Sequence, residues 1–522
     1  MLACGGCGDP PGDAAGGGRS AALTLHRGNG GDPLSLDPAE AQDEHAFAVL
    51  ADLYEGLLVA GPNGELVPGA ARDYSVSDDG LTYRFRLRRD GRWSDGRPVT
   101  AADFVAGIRR ALRPATTSGY AFLLEAVRGA PDVIRGRAAP DSLGLRAIDD
   151  LTLEIVLARP TPALPAILSL PIAFPFPAGD SATPGRFSEP AQFVGNGAYR
   201  LARWRVGSRI RLVRNTRFRA LHDVAIGAVE YHAITDAQAE LNMYRAGELD
   251  ITATVPGGAL SSLSATRPDE LHIAPRLALY YFAFDLSEAP LDDPRLRQAL
   301  SMALDRDAIV ALLGRGERPA YGLVPPGIGS YEPARYAWQA LASGDRQAAA
   351  RRLYKQAGYG ADRPLELTLV YDTGSVHETV ALAARSMWAD VLGAEVLLER
   401  REWQYFLDTR DQRGEWDVMR FAWTGDYPHA QTFLAILAAD SPQNLPGYVN
   451  ADYDRRLLAA AMAGQPADQQ RLLREAERVA IDDYPIAPVY FYVSKHLVAP
   501  SVDGFRANAL DRNPTRYLRK HR

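Results

Sequence analysis

Cysteine is almost absent from this chain of 522 residues, because Cys4 and Cys7 are its two cysteines and both lie at the amino terminus. A structural zinc site usually has four ligands, and the sequence holds no further cysteine to complete one. The Cys-x-x-Cys spacing is also that of a redox pair, but no strand pattern precedes it and no helical pattern follows it. Cysteine-bound zinc and disulfide exchange are therefore poor explanations for the chain.

A large excess of charge and a long apolar run are also missing. The net charge is −6, and the basic residues are scattered rather than arranged in a stripe, which argues against nucleic acid as a partner. No stretch is long and apolar enough to cross a membrane. A hydrophobic content of 47% with 23% charged residues is instead typical of a soluble globular protein. The length predicts two or three domains.

Catalytic motifs are missing as well. The sequence contains no Gly-x-Ser-x-Gly and no His-Glu-x-x-His, and no cysteine accompanies a catalytic-looking histidine. The nine histidines are dispersed without metal-ligand spacing. We therefore expect no enzyme, no cofactor and no resident metal ion.

The amino terminus carries a different signal. Met1-Leu2-Ala3-Cys4 resembles the end of a lipoprotein signal, which makes Cys4, or else Cys7, the candidate for lipid attachment. Residues 5–19 are rich in Gly, Ala, Pro and Asp, as expected of a flexible tether. Because the charged and apolar parts of an export signal are missing, we expect either that the true start lies further upstream or that the chain has been trimmed.

The stretch 416–428 is the most informative part of the sequence. Apolar residues and β-formers predict a buried strand from Trp416 to Trp423, which Gly425 ends and Asp426 follows. An aspartate at that place can cap a turn or a helix. Alternatively, it is a charge held among aromatic residues to capture a cation, such as the α-amino group of a peptide. The residues alone leave both interpretations open.

Local patterns predict further elements along the chain. Residues 81–87 alternate as a half-exposed strand after an Asp79-Gly80 turn, and Thr100 is placed to cap a helix that starts at Ala101. Apolar spacing predicts helices over 46–58 and 452–481. Strands are predicted at 24–27, 279–286, 365–371 and 485–492.

Taken together, these stretches resemble a known family. Residues 417–420, Trp423, Asp426 and Tyr427 resemble the ligand strand of the periplasmic oligopeptide-binding proteins, which belong to the family 5 solute-binding proteins of ABC importers. The resemblance extends from about Leu23 to Lys520. Further stretches that carry it are 53–58, 93–105, 243–251 and 293–300.

The resemblance implies an α/β fold of the periplasmic-binding-protein type (type II, cluster C). Two lobes around a hinge and an extra domain are expected, each with mixed β-sheets flanked by helices. The expected division is a tether at 1–21, domain I at 22–54, 179–278 and 491–522, domain II at 55–178, and domain III, the ligand lobe, at 279–490.

The resemblance also implies a binding site. In the family, the aspartate at the place of Asp426 pairs with the peptide α-amino group, and relatives carry Arg and His for the carboxylate end at the places of Arg420 and His377. The strand near Thr424 is suited to main-chain pairing with a peptide. Residues expected either to line side-chain pockets or to pack in the core are Tyr120, Trp403, Trp423 and Tyr244.

The chain departs from the family pattern at several places. Some relatives have a cysteine pair where this chain has Ala278 and Thr424, and a lysine in the region of Arg315. Arg410 lies in the loop that leads to the ligand strand. It bears on ligand preference, because a relative specialised for murein peptide could use an arginine in that loop. These differences leave the preferred peptide length open.

The implied function is a periplasmic or cell-envelope receptor that captures oligopeptides and delivers them to an ABC transporter permease. It is expected to act as a monomer and to meet the membrane only through a possible lipid anchor. The alternative is a specialised binder of murein peptide, dipeptide, or a metal or haem complex in the same fold. A chaperone or a peptide sensor would use the same pocket.

Overall fold

The computed structural model describes residues 23–522 except 184, 374, 403, 404, 407, 408, 410–413, 442 and 464. The predicted site residues Cys4, Trp403 and Arg410 therefore lie outside the described residues.

The strands of the described residues run, in chain order, as β1 Thr24–Gly28, β2 Leu58–Ala60, β3 Leu66–Pro68, β4 Ala71–Val76, β5 Thr82–Leu87, β6 Leu145–Asp149, β7 Thr152–Val156, β8 Tyr199–Arg205, β9 Arg209–Arg214, β10 Ala228–His232, β11 Leu271–Phe284, β12 Arg318–Pro319, β13 Glu366–Asp372, β14 Glu395–Arg401, β15 Val418–Thr424, β16 Ile486–Leu497, β17 Val502–Asp503 and β18 Arg519–Lys520. The α-helices are α1 Glu44–Leu53, α2 Ala101–Ala111, α3 Ala130–Ile134, α4 Leu164–Ile167, α5 Ala237–Arg245, α6 Leu260–Thr266, α7 Pro294–Ala303, α8 Arg306–Leu313, α9 Ser343–Gln356, α10 Ser375–Leu392, α11 Gln431–Leu434, α12 Ala451–Met462 and α13 Pro466–Asp483.

Two four-stranded sheets share one hydrophobic core. The first has the strand order β1-β10-β9-β8, and the second, antiparallel throughout, has the order β4-β5-β7-β6. Leu25 and Val229 of the first sheet belong to the same buried cluster as Phe85 and Leu153 of the second. These two sheets therefore form one packed body around a continuous apolar interior.

A six-stranded mixed sheet, in the order β12-β16-β11-β15-β13-β14, forms the centre of a second core. Strand β15 lies in the interior of this sheet, antiparallel to β11 and parallel to β13. Helices α7, α9 and α10 contribute buried residues such as Leu300, Ala350 and Trp388 to that core. The predicted mixed α/β architecture is confirmed by this arrangement.

The long strands β11 and β16 connect the two bodies. They pair antiparallel over two stretches, with the register shifted between Pro275 and Leu279. The first stretch lies near the first sheet, since Ile251 bridges both Arg27 of β1 and Val498 at the end of β16. The second stretch lies in the six-stranded sheet. This irregular pair of strands is the natural place for a hinge, and the domain boundaries themselves stay a prediction.

Several local predictions are confirmed. The turn at Asp79-Gly80 joins β4 and β5 as an antiparallel pair. Helix α2 starts at Ala101, and Asp103 accepts a hydrogen bond from the Thr100 backbone N–H at 2.8 Å, which completes the capping box.

Other boundaries differ from the prediction. Helix α1 ends at Leu53 rather than at residue 58, because Tyr54 adopts an extended conformation and the Asn196 side chain binds the backbone of Glu55 on both sides. The pattern over 452–481 folds as two helices, α12 and α13. No helix among residues 23–522, as far as they are described, is long and apolar enough to span a membrane.

Candidate functional site

Strand β15 has an open edge over most of its length. On one side it pairs with β11 from Val418 to Thr424, but on the other side β13 reaches only Val418 and Met419. In the part of the chain that the structure describes, no strand pairs with this edge beyond Met419. Unpaired main-chain groups on a strand edge are ready to accept an added strand. This edge can therefore bind an extended main chain without reading its side chains.

The turn after β15 is fixed by packing. A Cβ atom at Gly425 would lie 2.9 Å from the Phe433 ring, so a side chain does not fit at this position. The Gly425 N–H donates to the Leu277 carbonyl at 2.7 Å, which extends the pairing with β11 by one residue. Asp426 follows immediately and is held where the strand ends.

Asp426 lies between the two bodies of the molecule. The next residue, Tyr427, is buried in the core of the two four-stranded sheets, not in the core of the six-stranded sheet. The Tyr120 hydroxyl donates a hydrogen bond to the Asp426 carboxylate, and the Arg512 guanidinium is a nearby positive charge. Phe47 packs edge-on against Tyr120 and lies 5.8 Å from the Arg512 guanidinium.

The electrostatics of Asp426 favour a cationic ligand. Burial raises the pKa of the Asp426 carboxyl, although the Tyr120 hydrogen bond and the Arg512 charge act in the opposite direction. The carboxylate is thus incompletely compensated by its protein neighbours. A positively charged group placed beside it would stabilise the ionised form.

A second charged centre lies at the other end of β15. Arg420 is 6% exposed, and its guanidinium donates from Nη1 to the Asp372 carboxylate at 2.7 Å. It also lies 4.9 Å from the Tyr280 ring centroid, within cation–π range. Among the described residues, Nε of Arg420 has no hydrogen-bond partner. This centre combines a firmly held guanidinium with an unused donor.

His377 belongs to the same centre. It lies in the first turn of α10, and its ring stacks on Tyr280 with centroids 5.8 Å apart. Its Nε2 is 3.8 Å from the Asp372 carboxylate. Burial and the Arg420 charge lower the pKa of His377 to about 4, so the imidazole is neutral at neutral pH. No described residue pairs with its Nδ1.

The remaining predicted residues fall into two groups. Trp423 and Thr424 lie on β15, where Trp423 is half-buried with its Nε1 3.4 Å from the Thr432 hydroxyl, and Thr424 is exposed. Tyr244, by contrast, is buried in a separate small cluster with Leu241, and its hydroxyl donates to Glu270 at 2.6 Å. The structure does not bring Tyr244 to β15.

Sequence reasoning missed three members of the site. Asp372 ends the apolar strand β13 as Asp426 follows β15, and that shared pattern could have singled it out. Arg512 and Phe47 had no comparable signal, since both lie far from Asp426 in the sequence. The fold brings Arg512 near Asp426, and Phe47 packs against Tyr120 and Arg512.

Comparison with known proteins identifies relatives over almost the whole chain. The family described as bacterial extracellular solute-binding proteins, family 5, matches residues 65–444. Three proteins of Escherichia coli (strain K12) are similar. Periplasmic oligopeptide-binding protein OppA is 36% identical over 506 residues, 95% of this chain and 93% of OppA. The probable deoxycholate-binding periplasmic protein YgiS is 35% identical, over 94% of this chain and 91% of YgiS.

The third relative is the periplasmic murein peptide-binding protein MppA, which is 34% identical over 94% of this chain and 92% of MppA. Its unliganded open form superimposes with a TM-score of 0.87, covering 96% of this chain and 98% of that structure at 33% identity. A second structure of MppA, also 33% identical, superimposes with a TM-score of 0.78 and covers 96% of this chain and 99% of that structure. The fold described above thus superimposes better on the unliganded open form than on that second structure.

A family match over most of the chain, relatives above 30% identity along nearly its full length and the shared fold agree. The chain belongs to the bacterial extracellular solute-binding proteins, family 5.

Proposed function

We propose that this protein is an extracytoplasmic receptor that captures oligopeptides and delivers them to the permease of an ABC importer. The three relatives are named for different ligands, so overall identity does not select among them. The observation that carries the proposal is Asp426, a half-buried carboxylate with a raised pKa beside the open edge of β15.

Asp426 binds the α-amino group of the peptide. A primary ammonium supplies the positive charge that the buried carboxylate lacks, and a charge-assisted hydrogen bond is about twice as strong as a neutral one. A ligand without an amino group, such as a bile acid, would add no positive charge beside this carboxylate and would leave it incompletely compensated. The raised pKa therefore favours a peptide over a purely anionic ligand.

The peptide main chain pairs with the edge of β15. Main-chain hydrogen bonds supply affinity that does not depend on side chains, which suits a receptor for peptides of varied sequence. Trp423, Thr424 and Tyr120 lie along this path and contact the first side chains.

The carboxylate end is received near Arg420 and His377. Asp372 holds the Arg420 guanidinium in place, and Nε and the neutral His377 ring remain for the ligand. The four strand positions from Arg420 to Thr424, which precede Asp426, already span about 13 Å. A dipeptide spans only about 7 Å when extended, so this separation favours oligopeptides.

Two lobes that close about β11 and β16 would bury the peptide, with domain boundaries near 278 and 490. The receptor is proposed to be a monomer in the periplasm or cell envelope, anchored through Cys4 where lipid is attached. It holds its ligand without cleaving it, so bound peptides should be recovered intact.

The test is native mass spectrometry of protein purified from its host without denaturation. A ladder of copurified peptides of mixed sequence, lost in Asp426→Ala, is the expected result. A single defined species would favour the specialised alternative, for which the similarity to MppA makes murein peptide the first candidate. No peptide, together with no thermal shift on adding tri- to pentapeptides, would contradict peptide binding.

A further inference from the structure

Two histidines and a glutamate meet on the outer face of the first sheet, which is a different sheet from that of β15. Glu230 and His232 are two positions apart on β10, so their side chains project from one face of the strand. Strand β1 pairs in parallel with β10, and its register places His26 beside Glu230. The intervening residue Tyr231 points into the hydrophobic core. The cluster therefore faces away from that core.

The spacing of the three side chains matches that of metal ligands. Nδ1 of His26 lies 3.3 Å from Nε2 of His232 and 3.7 Å from Oε2 of Glu230. All three ligand atoms lie within 4.8 Å of one another. An ion with four ligands at about 2.0–2.1 Å places neighbouring ligand atoms roughly 3.4 Å apart. Only small side-chain adjustments are needed for the three atoms to share one ion.

The surroundings position the carboxylate and leave access to the site. Glu230 is 7% exposed, and Arg211 donates to its Oε1 at 2.6 Å. Such outer contacts orient ligands at metal sites. The His26 side chain is 36% exposed, which gives an ion and a water molecule a way in. Arg209 donates to Oε2, the oxygen facing His26, at 3.1 Å, and an ion would compete with it for this oxygen.

We propose that His26, Glu230 and His232 bind a divalent transition-metal ion of the zinc type, with water as the fourth ligand. Imidazole and carboxylate are ligands that such ions accept, whereas calcium and magnesium prefer oxygen ligands alone. The ion ties β1 to β10. This site is independent of peptide binding, and the 204 positions between His26 and Glu230 explain why no spacing pattern revealed it.

The test is a zinc titration of the full chain, stripped with a chelator, in competition with a chromogenic chelator that reports free zinc. Cys4→Ser and Cys7→Ser are included in all variants, and no histidine tag is used. We expect one bound equivalent, with affinity reduced about tenfold or more in His26→Ala and in His232→Ala. Arg209→Met should bind zinc several-fold more tightly, because it removes a competing positive charge.

The matched control is His222→Ala, which removes an exposed histidine that also has a carboxylate neighbour, Asp223, at 3.2 Å. It should leave the zinc affinity unchanged. Circular dichroism checks that each variant is folded, and cobalt provides a second readout because four-coordinate cobalt has characteristic visible absorption bands. Unchanged zinc affinity and cobalt spectra in folded His26→Ala and His232→Ala would overturn the proposal.

Discussion

Removing Asp372 should destabilise the protein strongly, because it leaves the buried Arg420 guanidinium without its partner. The side chains of Asp372 and Arg420 are 9% and 8% exposed, and their charged atoms are 2.7 Å apart. Breaking a buried ion pair from one side costs about 3–5 kcal/mol, mostly because one charge stays buried and unpaired. We therefore expect Asp372→Ala to lower the free energy of unfolding by that amount.

The double variant separates this penalty from ordinary packing. Arg420→Met removes the guanidinium together with its cation–π contact to Tyr280, which is worth about 0.5–2 kcal/mol. Combined with Asp372→Ala, it leaves no unpaired charge in the pair. The double variant should therefore be at least about 2 kcal/mol more stable than the sum of the single effects predicts.

Urea denaturation, followed by fluorescence and circular dichroism, gives the three free energies. The matched control is Asp132→Ala, which breaks the Arg137–Asp132 pair. The distance from Arg137 Nη2 to Asp132 Oδ1 is also 2.7 Å, but both side chains are more than half exposed. That change should cost less than about 1 kcal/mol. Additive effects of Asp372→Ala and Arg420→Met, or a cost for Asp372→Ala no larger than that of the control, would refute the argument.

Three further predictions concern the pH dependence of peptide binding, a cross-strand cysteine pair, and the stability of the body that contains the six-stranded sheet. Because burial raises the pKa of Asp426, peptide affinity measured by calorimetry should fall on acidification before an ordinary aspartate protonates, near pH 3.9. Asp426→Asn should remove that fall, and an identical pH profile in both proteins would contradict the assignment. Ala278 and Thr424 lie directly opposite each other as a pair without mutual hydrogen bonds, since the next pair is bonded from the Gly425 N–H to Leu277. Cysteines at both positions should therefore oxidise spontaneously in a background without the native cysteines, and free thiols after air exposure would show that the register is different. Burial raises the pKa of Glu477 to about 7, so its contribution to stability is complete below the ordinary carboxyl pKa and is lost as pH rises through about 7. The urea midpoint should decline over that range in the native protein but not in Glu477→Gln, and parallel curves would contradict the prediction.

The sequence predicted those elements whose signals are local. The alternation before Leu87 and the Thr100 capping box depend on residues within a few positions of each other, and both fold as predicted. The strand that ends near Thr424 was also recognisable, because its apolar run is terminated by a glycine that packing against Phe433 requires.

Predictions failed where distant residues determine the local conformation. Helix α1 stops early because Asn196 holds the backbone of Glu55. Strand β11 begins at Leu271, eight positions before the predicted start, because β16 pairs with it from Leu271 to Pro275 as well as after Leu279. Propensity alone does not contain these tertiary contacts.

The candidate site divides in the same way. Asp426, Arg420, His377 and Tyr120 were predicted as site residues from residue type and family resemblance, but the charged neighbours Asp372 and Arg512 were not. Asp372 and Arg512 lie 48 and 86 positions from Arg420 and Asp426, respectively. The burial that raises the pKa of Asp426 is likewise a property of the folded chain and is not visible in the local sequence.

The most direct test of the central claim is a cycle of four affinities, measured by calorimetry. A tetrapeptide with a free α-amino group and its N-acetylated form are each titrated into the native protein and into Asp426→Asn. If Asp426 pairs with the α-amino group, acetylation should weaken binding to the native protein by at least about thirtyfold, as expected for a coupling of 2 kcal/mol or more between close charges. Acetylation should then have little effect on binding to Asp426→Asn. An equal loss on acetylation in both proteins would contradict the account, because the amino group would then be recognised elsewhere.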